Sequence, residues 1–320
     1  MTDYDSDSRM DARSYPDGDL TPGPDTSQPQ EPDAGVELLE NDSIWDNLKY
    51  MARKNKLAVV SFVVIVLICL AAVAAPALTP YEPNKTSLKD RLAPPSREHL
   101  LGCDELGRDH LTRLIYGTRV SVVIGLFPTS IAMLIGAVLG LAAGFYGGKT
   151  DFIIMRLADV VLAFPSLLLA MVVSYTLGGG VISIFLALAA VKWARTARVI
   201  RAQTMSLKEK EFVEAAHSLG VKKWIIILRH ILPNCLPNLI VLFTLSIPDS
   251  ILDEASLSFL GIGAQPPSTS WGLMVYRCKT YLFDYPWLAI SPGIAILIFV
   301  LAFNFLGDGV RDALDPYLKD

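Results

Sequence analysis

The sequence predicts an all-α membrane protein with six transmembrane helices. Three observations carry this. Hydrophobic residues make up 52% of the chain and the mean hydropathy is +0.41, more apolar than an average soluble domain. The apolar residues fall into uncharged blocks long enough to cross a bilayer. Basic residues crowd one flank of the first block.

The first block, Leu57–Leu78, carries no charge and reaches about 33 Å at about 1.5 Å per residue. Lys49, Arg53, Lys54 and Lys56 precede it, which by the positive-inside rule holds the N-terminus in the cytoplasm. A cleaved signal peptide ending in Ala74–Ala77 is the rival reading, but the apolar run starts too late and runs too long. Val120–Gly148 is the second block. Its Gly136, Gly140 and Gly144 recur every four residues, a pattern that lets helices approach closely in lipid. Val160–Val191 is too long for one span, and Gly178, Gly179 and Gly180 divide it into two helices. The second of these ends at Lys192, Trp193 and Arg195, which can snorkel to the interface. Leu236–Leu260 and Trp287–Leu306 supply the last two spans. Pro76 and Pro165 can kink their helices and Pro248 precedes Asp249, with neighbouring helices able to satisfy the freed backbone groups; such kinks serve as hinges in a moving pump or, the plainer reading, are ordinary features of membrane helices.

Six spans place both termini inside. Residues 79–118, 178–180 and 261–286 then lie outside, and 147–155 and 195–235 inside. The inner loop 195–235 holds eight Lys and Arg, as that orientation requires. The outer loop 79–118 holds six, accompanied by acids.

The net charge of −4 conceals an acidic tail. Residues 1–43 carry twelve acids and two Arg, a charge of −10, so the remainder carries −4 − (−10) = +6. Rich in Pro, Gly, Ser and Asp, this cytoplasmic tail reads as disordered and solvated. Cys69, Cys103, Cys235 and Cys278 form no CxxC pair and read as free thiols.

Between the fourth and fifth spans lies a polar insertion, EFVEAAHSLGVKKWIIILRHILPNCLP (Glu211–Pro237). Ser206–Glu209 has the form of a capping box and predicts a helix start. Phe212, Ala215, Ala216 and Leu219 share one helical side, and Gly220 fits the left-handed position past a helix end. A second helix places Trp224, Ile227, Leu228 and Ile231 on one side, and Pro233 ends it. Such a unit can lie on lipid, enter a DNA groove or dock on a soluble partner. Tethering at both ends to the membrane argues against the DNA groove.

The same residues resemble a known family. Glu214-Ala215-Ala216, Gly220 after three intervening residues, and then Leu232-Pro233 resemble the EAA motif of ABC importer permeases. His230 stands where that motif usually has isoleucine, a departure shared with the dipeptide/oligopeptide branch. His99–Ser121, Arg156–Ala170, Glu254–Gly272 and Leu301–Pro316 also look like the second permease subunit of dipeptide/oligopeptide importers. The resemblance covers roughly residues 44–318. It implies a type I ABC importer permease (MetI-like) fold. In that scheme residues 44–118 hold the first transmembrane helix and an extracytoplasmic loop, 119–308 the permease core with coupling helices near 206–233, and 309–320 a cytoplasmic tail. It also implies partners: a homologous second permease subunit, two ABC ATPase subunits, an extracytoplasmic substrate-binding protein and a peptide substrate, with no nucleic acid. In the family the EAA segment, here Glu214, Ala215, Ala216, Gly220, His230 and Pro233, contacts the ATPase.

The chain itself carries no catalytic motif. Gly147–Asp151 contains Gly-Lys-Thr, but a phosphate loop needs glycine where Ala143 stands, and a membrane helix rather than a strand precedes it. His99, His110, His217 and His230 have no zinc spacing, and no G-x-S-x-G elbow occurs. The expectation is a non-catalytic permease with no cofactor or metal of its own, ATP and Mg being bound by the partner ATPases.

Asp249, Asp253 and Glu254 stand in the otherwise apolar fifth span. The ten Leu, Ile, Val and Phe residues of 236–252 contribute about −3 to −6 kcal/mol of insertion energy, and each central acid opposes it by about +2.5 to +3.5. Asp249 should therefore face the bundle interior or a wet cavity, and Asp253 and Glu254 an outer vestibule. Two uses fit Asp249: a translocation-path group favouring a cation such as a peptide amino terminus, or a structural acid paired with a neighbouring subunit. Glu254 is expected to form a gate of the path or to be structural. The best-supported function is one half of the membrane channel of an ABC peptide importer. Alternatives are the same machine carrying a nickel chelate, glutathione or an antimicrobial peptide, or a standalone channel or ion-coupled carrier using Asp249. No convincing internal repeat of the carrier kind is present.

Overall fold

The computed structural model describes residues 55–314, all helical or irregular. The acidic tail, residues 44–54 and residues 315–320 lie outside the described residues. The helices are α1 (Lys56–Val73), α2 (His110–Tyr146), α3 (Gly148–Leu162), α4 (Ser166–Thr176), α5 (Val181–Lys208), α6 (Glu211–Ser218), α7 (Lys223–Ile226), α8 (Leu232–Phe259), α9 (Trp271–Cys278) and α10 (Trp287–Leu314). No strand occurs among the described residues.

Among them, α1, α2, α10 and the continuous run Lys223–Phe259 are long and apolar enough to cross a membrane. The pair α3 and α4 reaches that threshold together but bends by 91° at its break. The span expected over Val160–Leu177 is therefore not one rod. Pro165 has no N–H and its own backbone turns out of the helical region (φ −55°, ψ 124°), so α3 ends and α4 restarts at an angle. Pro128, Pro237, Pro248 and Pro292 stay inside helices without breaking them. The glycine division holds: Gly178, Gly179 and Gly180 all have positive φ between α4 and α5.

Helix α5 does not end at the interface as expected. It runs on to Lys208, so Ser206–Glu209 is the end of that helix and not the start of a new one. Two of the expected division points fall inside helices. Helix α2 already begins at His110, so 118/119 falls inside it, and α10 continues past residue 308 to Leu314.

The small residues of α2 face α5. A Cβ on Gly136, Gly140 or Gly144 would come within 2.6–2.7 Å of the Trp193, Ala197 or Arg201 carbonyl oxygens. Only glycine permits that approach. A second core joins α1, α8 and α10 around Ile247, Ile251, Phe299 and Phe303, with the Trp271 ring edge-on to Phe299 at 5.6 Å.

At the N-terminal end of α2 the loop 79–109 folds into a cap held by charge. Asp109 accepts from the Thr112 N–H at 2.8 Å and so caps α2. The buried Asp104 meets Arg108 at 2.7 Å and Arg113 at 3.3 Å, while Glu105 takes Arg277 of α9 at 2.7 Å. Gly107, at φ 70°, turns where a Cβ would overlap the Ser87 carbonyl. Cys103 and Cys278 lie buried at this end as free thiols; elsewhere the buried Cys235 and the half-buried Cys69 are free too.

Candidate coupling and translocation sites

Two sites stand at different levels of the bundle. The first is built by α6, α7 and the start of α8. Val213 and Ala216 of α6 are buried with Ile226, Ile231, Phe145 and Ile200, which roots the unit on α2, α5 and α8. Helix α6 ends in a left-handed turn. Gly220 has φ 74°, its N–H donates to His217 O at 3.0 Å, and the Val221 N–H donates to Ala216 O at 3.1 Å. This pair of bonds is a Schellman closure, and it needs glycine at position 220.

The predicted apolar side is turned outward, away from the bundle. Of Phe212, Ala215, Ala216 and Leu219, only Ala216 is buried, and Leu219 is 83% exposed. Trp224 and Leu228 are exposed too, and only Ile231 of their expected stripe is buried. Glu214 is also exposed, and the His230 ring lies 6.5 Å from Phe212. Helical phase alone could not tell which of two apolar stripes the bundle claims: Val213/Ala216 or Phe212/Leu219.

Pro233 does not end a helix either. A π-helical turn, Ile227–Ile231, precedes it, and the Leu232 N–H donates to Ile227 O, five residues back. The wider turn passes the missing proline donor, and Asn234 Nδ2 supplies a bond to His230 O at 2.6 Å. The α6–α7 segment thus continues directly into α8.

The second site is a cleft of 470 Å³ between α3, α4, α5 and α8. Asp249 and Asp253 line it from α8, Lys192 and Arg195 from α5. Lys192 Nζ lies 2.8 Å from Asp253 Oδ2, and Arg195 Nη1 lies 3.9 Å from Asp249 Oδ2. Further along α5, Arg198 meets Asp159 at 2.7 Å and Arg201 grips Asp151 with two nitrogens. The four bases recur every three residues. Each such step turns a helix by about −60°, so the stripe winds from facing α8 to facing α3. Sequence reading counted these bases as topology signals and snorkelling groups and missed their partners. The constant spacing was the available signal.

Glu254 is absent from the cleft and from any vestibule. It is 1% exposed, and its Oε1 accepts from Ser258 Oγ and Ser270 Oγ, each at 2.7 Å, so it ties α8 to the start of α9. A one-residue step from Asp253 turns about 100° and moves the side chain from the cleft to the core. Among the described residues no cluster of His, Cys, Asp and Glu could hold a metal.

Comparison with known proteins agrees with this architecture. Residues 136–320 match the profile of the "Binding-protein-dependent transport system inner membrane component", and residues 43–95 that of the "N-terminal TM domain of oligopeptide transport permease C". The dipeptide transport system permease protein DppC of Alkalihalophilus pseudofirmus is 41% identical over 94% of this chain and 97% of its own. The glutathione transport system permease protein GsiD of Pectobacterium atrosepticum is 43% identical over 86% of this chain and 92% of its own. Among solved structures, a chain of the MetNI methionine ABC transporter in an inward-facing crystal form matches with a TM-score of 0.53 at 17% identity, over 64% of this chain and 97% of that one. The chain belongs to the binding-protein-dependent transport system inner membrane component family, as a dipeptide/oligopeptide-type ABC importer permease.

Proposed function

We propose that this chain is a non-catalytic permease subunit that moves short peptides across the cytoplasmic membrane, with both termini in the cytoplasm. It works beside a homologous permease subunit, two ABC ATPases and an extracytoplasmic binding protein. ATP and Mg belong to the ATPases, and this chain contributes a lever. The observation that carries the reading is the two-faced α6. Val213 and Ala216 are buried in the bundle while Phe212, Ala215, Leu219 and Trp224 stand exposed. Apolar residues turned into the water at a membrane surface fit a groove on a partner. Rooted on one face and gripped on the other, Glu214–Gly220 passes a push through the π-helical turn at His230 and Pro233 into α8, which carries Asp249. Domain motion of this kind switches a cavity between its two mouths.

Peptide cargo is favoured because the relatives at 41% and 43% identity are named for dipeptide and glutathione transport, and both cargoes are short peptides. Asp249, in the cleft on the same helix, is the path-lining acid of this reading. A standalone channel has no use for the exposed face of α6. Cysteine at Leu219 tests the proposal: oxidative crosslinking in membranes should trap an ATPase subunit. Failure to trap one at any exposed α6 position, in cells that take up peptide normally, would refute it.

A further inference from the structure

The two ionic rungs of the cleft differ in kind. Lys192 and Asp253 are in contact at 2.8 Å with side chains 16% and 22% exposed. Arg195 and Asp249 stand 3.9 Å apart, beyond hydrogen-bond range, with side chains 75% and 58% exposed. The first rung is closed on itself and fastens α5 to α8. The second leaves a guanidinium and a carboxylate unsaturated, side by side, at the wall of a 470 Å³ cavity. That volume is typical of small-ligand sites. The rest of the wall is mostly apolar, with Val161, Phe164, Leu242 and Leu252 beside Ser166, Thr196 and Ser246.

We propose that Arg195 and Asp249 form a receptor for a zwitterion: Arg195 takes the terminal carboxylate of a short peptide and Asp249 its terminal ammonium. Guanidinium matches carboxylate in a planar two-bond fork, and Asp is acceptor-only when ionised, as an ammonium requires. Two extended residues span about 7 Å between their ends. The exposed Arg195 side chain can swing away from Asp249 to admit that length, whereas the Lys192–Asp253 rung keeps the helices in register behind it. Peptides of any sequence share their two termini, and the apolar wall accepts side chains without selecting them. A carrier of varied short peptides would need that recognition. The inference rests on the reading of this chain as a peptide importer permease, and it adds Arg195 as a specificity-determining residue.

The test uses the assembled importer in lipid nanodiscs without its binding protein. The probe is a photoreactive dipeptide in three forms: free termini, C-terminal amide and N-acetyl. Wild type should label in α5 and α8 with the free form. Arg195→Gln should lower labelling by the free form about tenfold and leave the amide unchanged. Asp249→Asn should do the same for the free form while leaving the N-acetyl form unchanged. If Arg195→Gln lowers the free and amidated forms equally, or wild type labels elsewhere, the receptor is overturned. Purification without any ATPase subunit would instead overturn the importer reading beneath it, and the two failures are separately visible.

Discussion

Lys192 of α5 and Asp253 of α8 meet at 2.8 Å between a base that sequence reading sent to the membrane surface and an acid it sent to a vestibule. Their pairing answers the insertion problem posed by three acids in one span. Each acid would oppose insertion by about 2.5–3.5 kcal/mol if it met lipid unpaired. Asp253 has Lys192, Asp249 faces the open cleft beside Arg195, and Glu254 has two serine hydroxyls.

Breaking the first rung should therefore be worse than removing it. Lys192→Met leaves Asp253 partly buried without a cation and should destabilise the complex by about 2 kcal/mol. At this chain size that lowers the thermal midpoint by about 3 °C. The double variant Lys192→Met with Asp253→Leu should recover most of the loss. Thermal scans of the purified complex check it. Equal losses in the single and double variants would show that the cost is not that of an unpaired Asp253.

The fold class was legible because apolar block length and glycine spacing report directly on lipid. The spacing of Gly136, Gly140 and Gly144 marks a face of α2 open to close helix approach, and α5 is the helix that packs there. Gly220 identified the end of α6, since a left-handed turn admits few other residues. What stayed hidden were long-range pairings. Nothing near Lys192 in the sequence points to Asp253, and nothing near Asp104 points to Arg113 packing beneath a cap that Arg277 closes from α9. A kink at Pro165 was readable, but not its 91° size, since Pro128, Pro237, Pro248 and Pro292 all stay inside continuous helices. Only the bundle decides which proline turns the chain.

The α2–α5 contact predicts a sharp positional difference. Gly140→Ala places a methyl 2.6 Å from the Ala197 carbonyl, so the helices must part. A loss of about 1–3 kcal/mol is expected, read as lower yield and thermal midpoint of the complex. Gly293→Ala in α10 meets nothing within 4 Å and should be neutral or stabilise by about 0.5–1 kcal/mol. Similar behaviour of the two variants would contradict the close approach.

The cap predicts protected thiols. Burial, followed by the nearby Glu105 and Asp104, pushes the Cys278 thiol from 9.0 up to about 12. Burial and the surrounding Asp109, Asp90 and Asp104 push Cys103 up to about 11. Only thiolate reacts, so at pH 8 the thiolate fraction of Cys278 falls about a thousandfold below that of a free cysteine. Maleimide should modify Cys278 and Cys103 only after unfolding, read by mass spectrometry of the peptides. Because the folded pKa is the higher one, the stabilisation from the protonated thiol is intact below pH 9.0 and fades as pH rises toward about 12. Rapid modification of the folded complex at pH 8 would contradict the buried cap.

The last prediction concerns force transmission. Gly220 holds φ 74° with open space around it, so a side chain there meets no clash but strains the backbone by about 1–2 kcal/mol. Gly220→Val should unmake the Schellman closure and loosen α6 against α7, while Val213 and Ala216 stay rooted. Membrane insertion and ATP hydrolysis by the assembled complex should persist. Peptide uptake should fall several-fold, because motion delivered to α6 no longer reaches the π-helical turn and α8. Asn, which tolerates the left-handed region, should retain more uptake than Val at the same position. Uptake and hydrolysis measured together in proteoliposomes decide it. If Gly220→Val transports as wild type does, stiffness at this turn is not what carries the stroke, and if both activities vanish, the turn serves assembly instead.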